Sequence, residues 1–487
     1  MPIVQPAFTL FLWISAAMFP HIVLSQDLVD RSRVFESTFA YVGTNSCSAA
    51  SCHGSRQEVA ATLGREYSIW VSEDPHSDAY ATLLSPASRQ IAKNLGLANA
   101  HQAKVCLDCH ASDAKPDETS DLHLAAFHRY AVTDGVGCES CHGPASKWLE
   151  PHTRGDWQYL SSAQKERFGF TNTSDLLTRG KTCAECHVGS LNKDMNHDLI
   201  ASGHPRLLFE LSAYEALLPR HWSRAQDELN NSAALEAKLW SVGQVASLLK
   251  KLELLEKRAS LSSAPWPEFG EYDCYDCHHD LRSSRLEPEG EFSDGKLVWD
   301  NWHRPAFELL LRKSLEAKFQ MGDVLSRYEH LKQEMAEAVP DRDTVVSLSR
   351  LLRKDLEIAA QAVVELPWSE FDLRNNLREL TTVDPTDNNS SWDELAQRYL
   401  ATAALRQALI DSHARDRSAV PSWISPTQEG LAQIRDELFF KPSYNSPASF
   451  HRQQKARISE SFWQIKRYFE LDTNTPDGGT RDIPAPQ

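Results

Sequence analysis

Beyond its first 25 residues the chain lacks any apolar run long enough to cross a bilayer, so a membrane-spanning bundle is excluded. Positive charge is also short: 51 Lys and Arg face 67 Asp and Glu, for a net charge of −16. With no basic stripe in view, a nucleic-acid partner is excluded as well. No Gly-rich nucleotide loop, metalloprotease helix motif or catalytic-triad signature occurs, which removes the commonest hydrolase and nucleotide-dependent classes. What remains is a chain of 487 residues with 41% hydrophobic and 24% charged residues, ordinary for a globular protein with room for two or three domains.

The amino-terminal segment differs from the rest. Ala7 to Phe19 is nearly all apolar and is closed by Pro20; Val23-Leu24-Ser25 then offers a cleavage site before Gln26. Residues 1–25 are therefore expected to be a signal peptide, although no Lys or Arg precedes the apolar run. The expected location is periplasmic or otherwise extracytoplasmic, with no transmembrane span after cleavage.

Ten cysteines fall into five pairs with none left over. Cys106 and Cys109 precede His110, Cys138 and Cys141 precede His142, Cys183 and Cys186 precede His187, and Cys274 and Cys277 precede His278, all as C-x-x-C-H. The first pair is wider: Cys47 and Cys52 are separated by four residues, and His53 follows directly. Two thiols on a short loop can reach the two vinyl groups on one edge of a porphyrin, and the next residue then lies beneath the ring, where an imidazole can bind iron. Disulfides would not need a histidine after every second cysteine, and paired zinc knuckles would leave one of five without a partner. Histidine fills 19 of 487 positions, so five matches by chance has odds of about one in ten million. The pattern predicts five covalently bound haem c groups.

Each haem of an electron carrier needs a second axial ligand. The expected set is His76, in a Trp70–Tyr80 segment after the first motif; His152, ten residues after the third; His197 and His204, seven apart after the fourth; and His303, 25 residues beyond His278. The seven-residue interval would put His197 and His204 on one side of a helix, with Pro205 marking a break nearby. His101, His123 and His128 stand in reserve near the second motif. His279 is poorly placed to reach around its own ring, and His330, His413 and His451 read as surface or core positions. The pairing of distal histidines with haems is left open by the sequence.

Three stretches carry a resemblance. YVGTNSCSAASCHG with WVSEDPHSDAYATLL, GVGCESCHGPASKWLEPH, and TCAECHVGSLNKDMNHDLIASGHPRL resemble the cytochrome c-554 family and its multihaem relatives over about residues 41–210. The resemblance implies a distal role for His76 toward a haem elsewhere in the fold, and an axial role for His152. Two departures stand out: the family has four haems with C-x-x-C-H throughout, and it includes one iron without a distal protein ligand.

Four motifs within residues 47–187 leave so little chain per cofactor that porphyrin faces must replace much of the side-chain core. The expected fold is mainly α: short helices and many loops around stacked haems, then a helical carboxy-terminal domain. The expected divisions are residues 26–290 for the five haem sites, 291–470 for a haem-free helical domain, and 471–487 for a disordered tail. Stripes at Leu235, Leu239, Val242, Ala246 and Leu249, at Phe307, Leu311 and Leu315, and at Trp392, Leu395, Tyr399 and Ala403 have helical spacing. The expected function is electron transfer between redox partners, which would be other redox proteins or a membrane quinol-oxidising complex. Two alternatives stand beside it: an oxidoreductase acting on a small nitrogen or sulfur compound at a five-coordinate haem, and a haem subunit of a larger redox complex.

Overall fold

The computed structural model describes residues 39–55, 64–112, 132–191, 193–224, 227, 234–274, 297–315, 321–383, 390–415, 421–439 and 452–470. The expected signal peptide, the carboxy-terminal tail, and the Cys277 and His278 of the fifth motif lie outside these residues. The fold is mainly α, as the sequence predicts. Among the described residues β pairing is limited to two isolated bridges, Ser190–Lys193 and Tyr272–Trp299.

The first part is built of short helices joined by turns: α1 (Glu66–Glu73), α2 (Pro86–Asn94), α3 (Lys104–His110) and α4 (Cys138–His142). Local chemistry sets their limits. Ser85 caps α2 by accepting from the Ser88 N–H, with Pro86 pre-set at the first helical position. Gly143, at φ 81°, ends α4 in a conformation that costs other residues strain. Among the described residues here few large apolar side chains are buried, Ile69, Trp70, Leu83 and Trp148 being the main ones.

Three helices lead into the second part. Asp175 caps α5 (Leu176–His187) and Asn196 caps α6 (His197–Ala201). Glu210 caps α7 (Leu211–Leu217) by accepting from the N–H groups of Ser212 and Ala213. The expectation that His197 and His204 share a helix is corrected: α6 ends at Ala201, and Gly203 at φ 111° turns the chain before His204.

The second part is organised on α8 (Leu235–Ser260), which contains the predicted Leu235–Leu249 stripe and is buried on nearly all sides. A helix enclosed all round must lie inside other helices. On one side it meets α5, where Gly180 faces Val242 and Ala246, and α7. A Cβ on Gly243 would stand 2.5 Å from the Leu211 Cβ, so only glycine allows α7 this approach. The remaining helices are α9 (Arg304–Leu315), α10 (Met321–Met335), α11 (Arg342–Val364), α12 (Glu370–Leu380), α13 (Trp392–Arg415), α14 (Ile424–Leu438) and α15 (Arg452–Lys466). Helix α8 packs most extensively on α11 and also on α13; α12 pairs with α13, and α14 with α15. One apolar core runs from Leu176 to Phe469, with Trp240, Trp299, Tyr328 and Phe462 wholly buried in it. Thus α8, before residue 291, and α11 and α13, after it, contribute to the same core. Among the described residues no helix is long and apolar enough to cross a membrane.

Candidate metal centre

The second, third and fourth cysteine motifs occupy the carboxy-terminal ends of α3, α4 and α5, each helix finishing on the motif histidine. On a helix, cysteines three apart project from one face, with the following histidine beside them. The first motif is different: Cys47 ends a 3₁₀ turn, Thr44–Cys47, and a loop carries the chain to His53. The motifs lie close together in space. The thiols of Cys47 and Cys138 are close neighbours, as are those of Cys109 and Cys186, while Cys141 lies within electrostatic reach of Cys183 and Cys186. The resulting order of neighbours is first, third, fourth, second.

Each described motif histidine faces a second histidine from elsewhere in the chain. His53 faces His152 with ring centroids 6.2 Å apart, and His110 faces His204 at 6.3 Å. His142 faces His221 at 6.3 Å, and His187 faces His76 at 6.1 Å. The rings are near parallel in the first pair, at 13°, and steeply inclined in the others, at 80°, 80° and 74°. Two imidazoles bound trans to one metal, each nitrogen about 2 Å from it, would place their centroids about 6.2 Å apart. The four separations therefore fit an iron held between the rings. Among the described residues no group of three or more His, Cys, Asp or Glu gathers around one point, so each pair offers a metal two ligands on opposite sides.

Hydrogen bonds fix which nitrogen is turned inward. Nδ1 of His110 donates to the Ala79 carbonyl at 3.0 Å, Nδ1 of His152 to that of Leu149 at 2.5 Å, and Nδ1 of His204 to that of Pro205 at 2.8 Å. A carbonyl only accepts, so these rings carry the proton on Nδ1 and keep Nε2 as the lone-pair donor. Nδ1 of His53 meets Glu66 at 2.9 Å, and Nδ1 of His76 meets Asp74 at 2.9 Å. Nδ1 of His221 is buried and meets no acceptor. Metal-bound histidines are oriented by such bonds on the other nitrogen.

Burial also favours the neutral ring that binds metal. It holds His142 at about 4, helped by His221, His53 and Arg179, and His187 at about 4, helped by His76. The carboxylates of Glu66 and Asp74 raise His53 and His76. Cys186 is lowered to about 6 by its neighbours Cys109 and Lys193, the latter's Nζ lying 3.2 Å from the sulfur.

Of the other expected ligands, His197 begins α6 against the Phe269–Glu271 turn, with its ring 6.1 Å from Phe269. That turn ends three residues before Cys274. His303 is placed differently. It is buried, with Nδ1 2.6 Å from Asp300 and Nε2 2.8 Å from Ser247, so both ring nitrogens are engaged within the helical core. Of the reserve histidines, His101 packs on Tyr80, and His123 and His128 lie outside the described residues, as do His279 and His451. His221 was not among the expected ligands. It lies in Pro219-Arg220-His221-Trp222, with no cysteine motif nearby, and sequence offers no signal beyond its being a histidine.

Cysteine pairs followed by histidine, together with paired imidazoles, fit a c-type cytochrome, a protein of electron transfer with covalently bound haem c. More narrowly, residues 46–143, which hold the first three motifs, match the family model described as cytochrome c554 and c-prime, so the chain is a c-type cytochrome resembling that family. No curated protein and no solved structure matches the chain.

Proposed function

We propose that the chain is an extracytoplasmic pentahaem cytochrome that passes electrons between redox partners. The observation that carries this reading is the set of four histidine pairs at 6.1–6.3 Å, a spacing that would give each iron a protein ligand on both faces. Such closure suits an electron carrier, because a catalyst at haem keeps a coordination position for its substrate.

In this reading His53 and His152 serve the first haem, His110 and His204 the second, His142 and His221 the third, and His187 and His76 the fourth. The ten cysteines form the thioethers. Cys274, Cys277 and His278 hold a fifth haem, and His197, beside the turn that leads to Cys274, is its proposed distal ligand. Haem supplies a one-electron couple at iron; the chain fixes ligand geometry, excludes water and sets the local charge. The contacts of Cys47 with Cys138 and of Cys109 with Cys186 support close approach of neighbouring macrocycles, as a relay requires. The apolar segment Ala7–Phe19 supports export, and the net charge of −16 supports docking to basic patches on redox proteins or a membrane quinol-oxidising complex. The helical residues 291–470 are proposed to flank the haem cluster as a haem-free region.

Haem counting by the pyridine haemochrome assay on the full exported chain tests the reading. Five haems per chain are expected; none, with free thiols, would overturn it.

A further inference from the structure

What each ring's second nitrogen touches divides the four described sites. At the first site Nδ1 of His53 is bonded to the Glu66 carboxylate, and at the fourth Nδ1 of His76 is bonded to the Asp74 carboxylate. Both rings of the second site bond only to backbone carbonyls. At the third site Nδ1 of His221 is buried without an acceptor. The guanidinium of Arg179, itself paired with Glu215 and Asp227, lies within electrostatic reach of both His142 and His221 and stacks 5.2 Å from the ring of Trp222, while Asp74 and Glu66 reach His221 through space without bonding to it. The nearby carboxylate of Glu139 is directed away to the N–H groups of Val42, Gly43 and Ala145.

These contacts act on the iron through its ligands. A carboxylate on the far nitrogen draws the N–H proton toward itself and makes the ring a stronger donor, which favours the more highly charged iron(III). A carbonyl does this less. A ring whose far nitrogen has no acceptor does it least. Site three also neighbours both carboxylate-backed sites, through Cys138 against Cys47 and through Cys141 near Cys183.

Resting on the axial assignments above, we infer that Glu66 and Asp74 hold the first and fourth haems at low potential and make the third haem the resting place of the first electron to enter this cluster. Glu66 and Asp74 are positioning and tuning residues, not ligands, and their effect is read in potentials.

The test is a reductive titration of the full holoprotein, with electrons supplied from an electrode and low-spin signals followed by electron paramagnetic resonance. The first site is recognisable by its near-parallel rings, which give a rhombic signal distinct from those of the steeply inclined pairs. In the natural protein the rhombic signal should persist to lower potential than at least one of the others. Glu66→Gln, which keeps an acceptor for the Gly64 N–H, should raise the potential of the rhombic signal more than that of any other, by about tenfold in the reduced-to-oxidised ratio, or 59 mV for one electron. Asp74→Asn should raise one strongly anisotropic signal similarly, while Glu66→Asp should restore most of the first shift. Unmoved potentials in variants that retain their haems and low-spin signals would overturn the inference and leave the ligand assignments standing. So would a rhombic signal that is reduced first. A natural protein lacking the low-spin signals would instead overturn the assignments themselves.

Discussion

Arg179 is the side chain whose loss should be felt in both stability and ligation. It is 9% exposed on α5, and its Nε donates to the Thr173 carbonyl at 2.7 Å. Its guanidinium donates to Glu215 at 2.8 Å and to the two oxygens of Asp227 at 3.1 and 3.0 Å. Asp227 in turn accepts from the Trp222 indole at 2.6 Å, so the cation and its partners clamp the residue next to His221. Arg179→Ala would strand two buried carboxylates, at a cost of about 3–5 kcal/mol. Lost stacking on Trp222 would add about 1 kcal/mol. Urea denaturation followed by circular dichroism gives the stability change, and paramagnetic resonance of the same sample gives the ligation. The loss of stability should shrink toward acid, because burial already raises the Glu215 carboxyl and its protonation removes one stranded charge. One strongly anisotropic low-spin signal, from the third site, should weaken while the others persist. Combining Arg179→Met with Glu215→Gln and Asp227→Asn should recover most of the stability. A change below about 1 kcal/mol would refute the reasoning, since it would mean the cluster is solvated like a surface pair.

Other predictions follow from single features. His204→Ala should open the second iron, seen as a new high-spin signal and as cyanide or carbon monoxide binding that the natural protein lacks. His303→Gln should lower stability, since it disturbs the bonds to Asp300 and Ser247, yet leave every low-spin signal in place. Gly143→Ala should destabilise by roughly 2 kcal/mol or more, because φ is 81° and the new Cβ would lie 2.1 Å from the Gly169 carbonyl oxygen. Burial raises the Glu210 carboxyl from 4.5 to about 7, so the folded state prefers it neutral. Its penalty is absent below about pH 4.5, grows as pH rises toward 7, and then levels at roughly 3 kcal/mol. Glu210→Gln should flatten the stability curve between those limits.

The proposed attachment residues are legible in the sequence because thioether chemistry requires two cysteines and a histidine in one short segment. The proposed second ligands are only partly so, because an iron's far face can be served from any distance along the chain. His76, His152 and His204 were anticipated as ligands, but which motif each opposes depends on packing between remote segments. His221 was invisible: its position is set by Arg179, Asp227 and Trp222, whose meeting no local pattern announces. His303 illustrates the converse. Its Trp-Asp-Asn-Trp-His-Arg-Pro setting resembles a ligand segment, whereas Asp300 and Ser247 take both ring nitrogens. The stripe from Leu235 announced α8, but not its enclosure, because Glu236, Ser241, Gln244 and Ser247 are also buried and interrupt the apolar pattern. Gly203, past the end of α6, turns the chain so that His204 lies outside the helix that His197 begins, a stop that Pro205 only hints at.

The central claim is that protein histidines close both faces of the iron at the four described sites. Paramagnetic resonance of the oxidised, fully haem-loaded protein tests it most directly. The account predicts low-spin signals from all four: one rhombic, from the pair inclined at 13°, and three strongly anisotropic, from the pairs at 74–80°. A five-coordinate high-spin signal traced to any of His53, His110, His142 or His187 would contradict it.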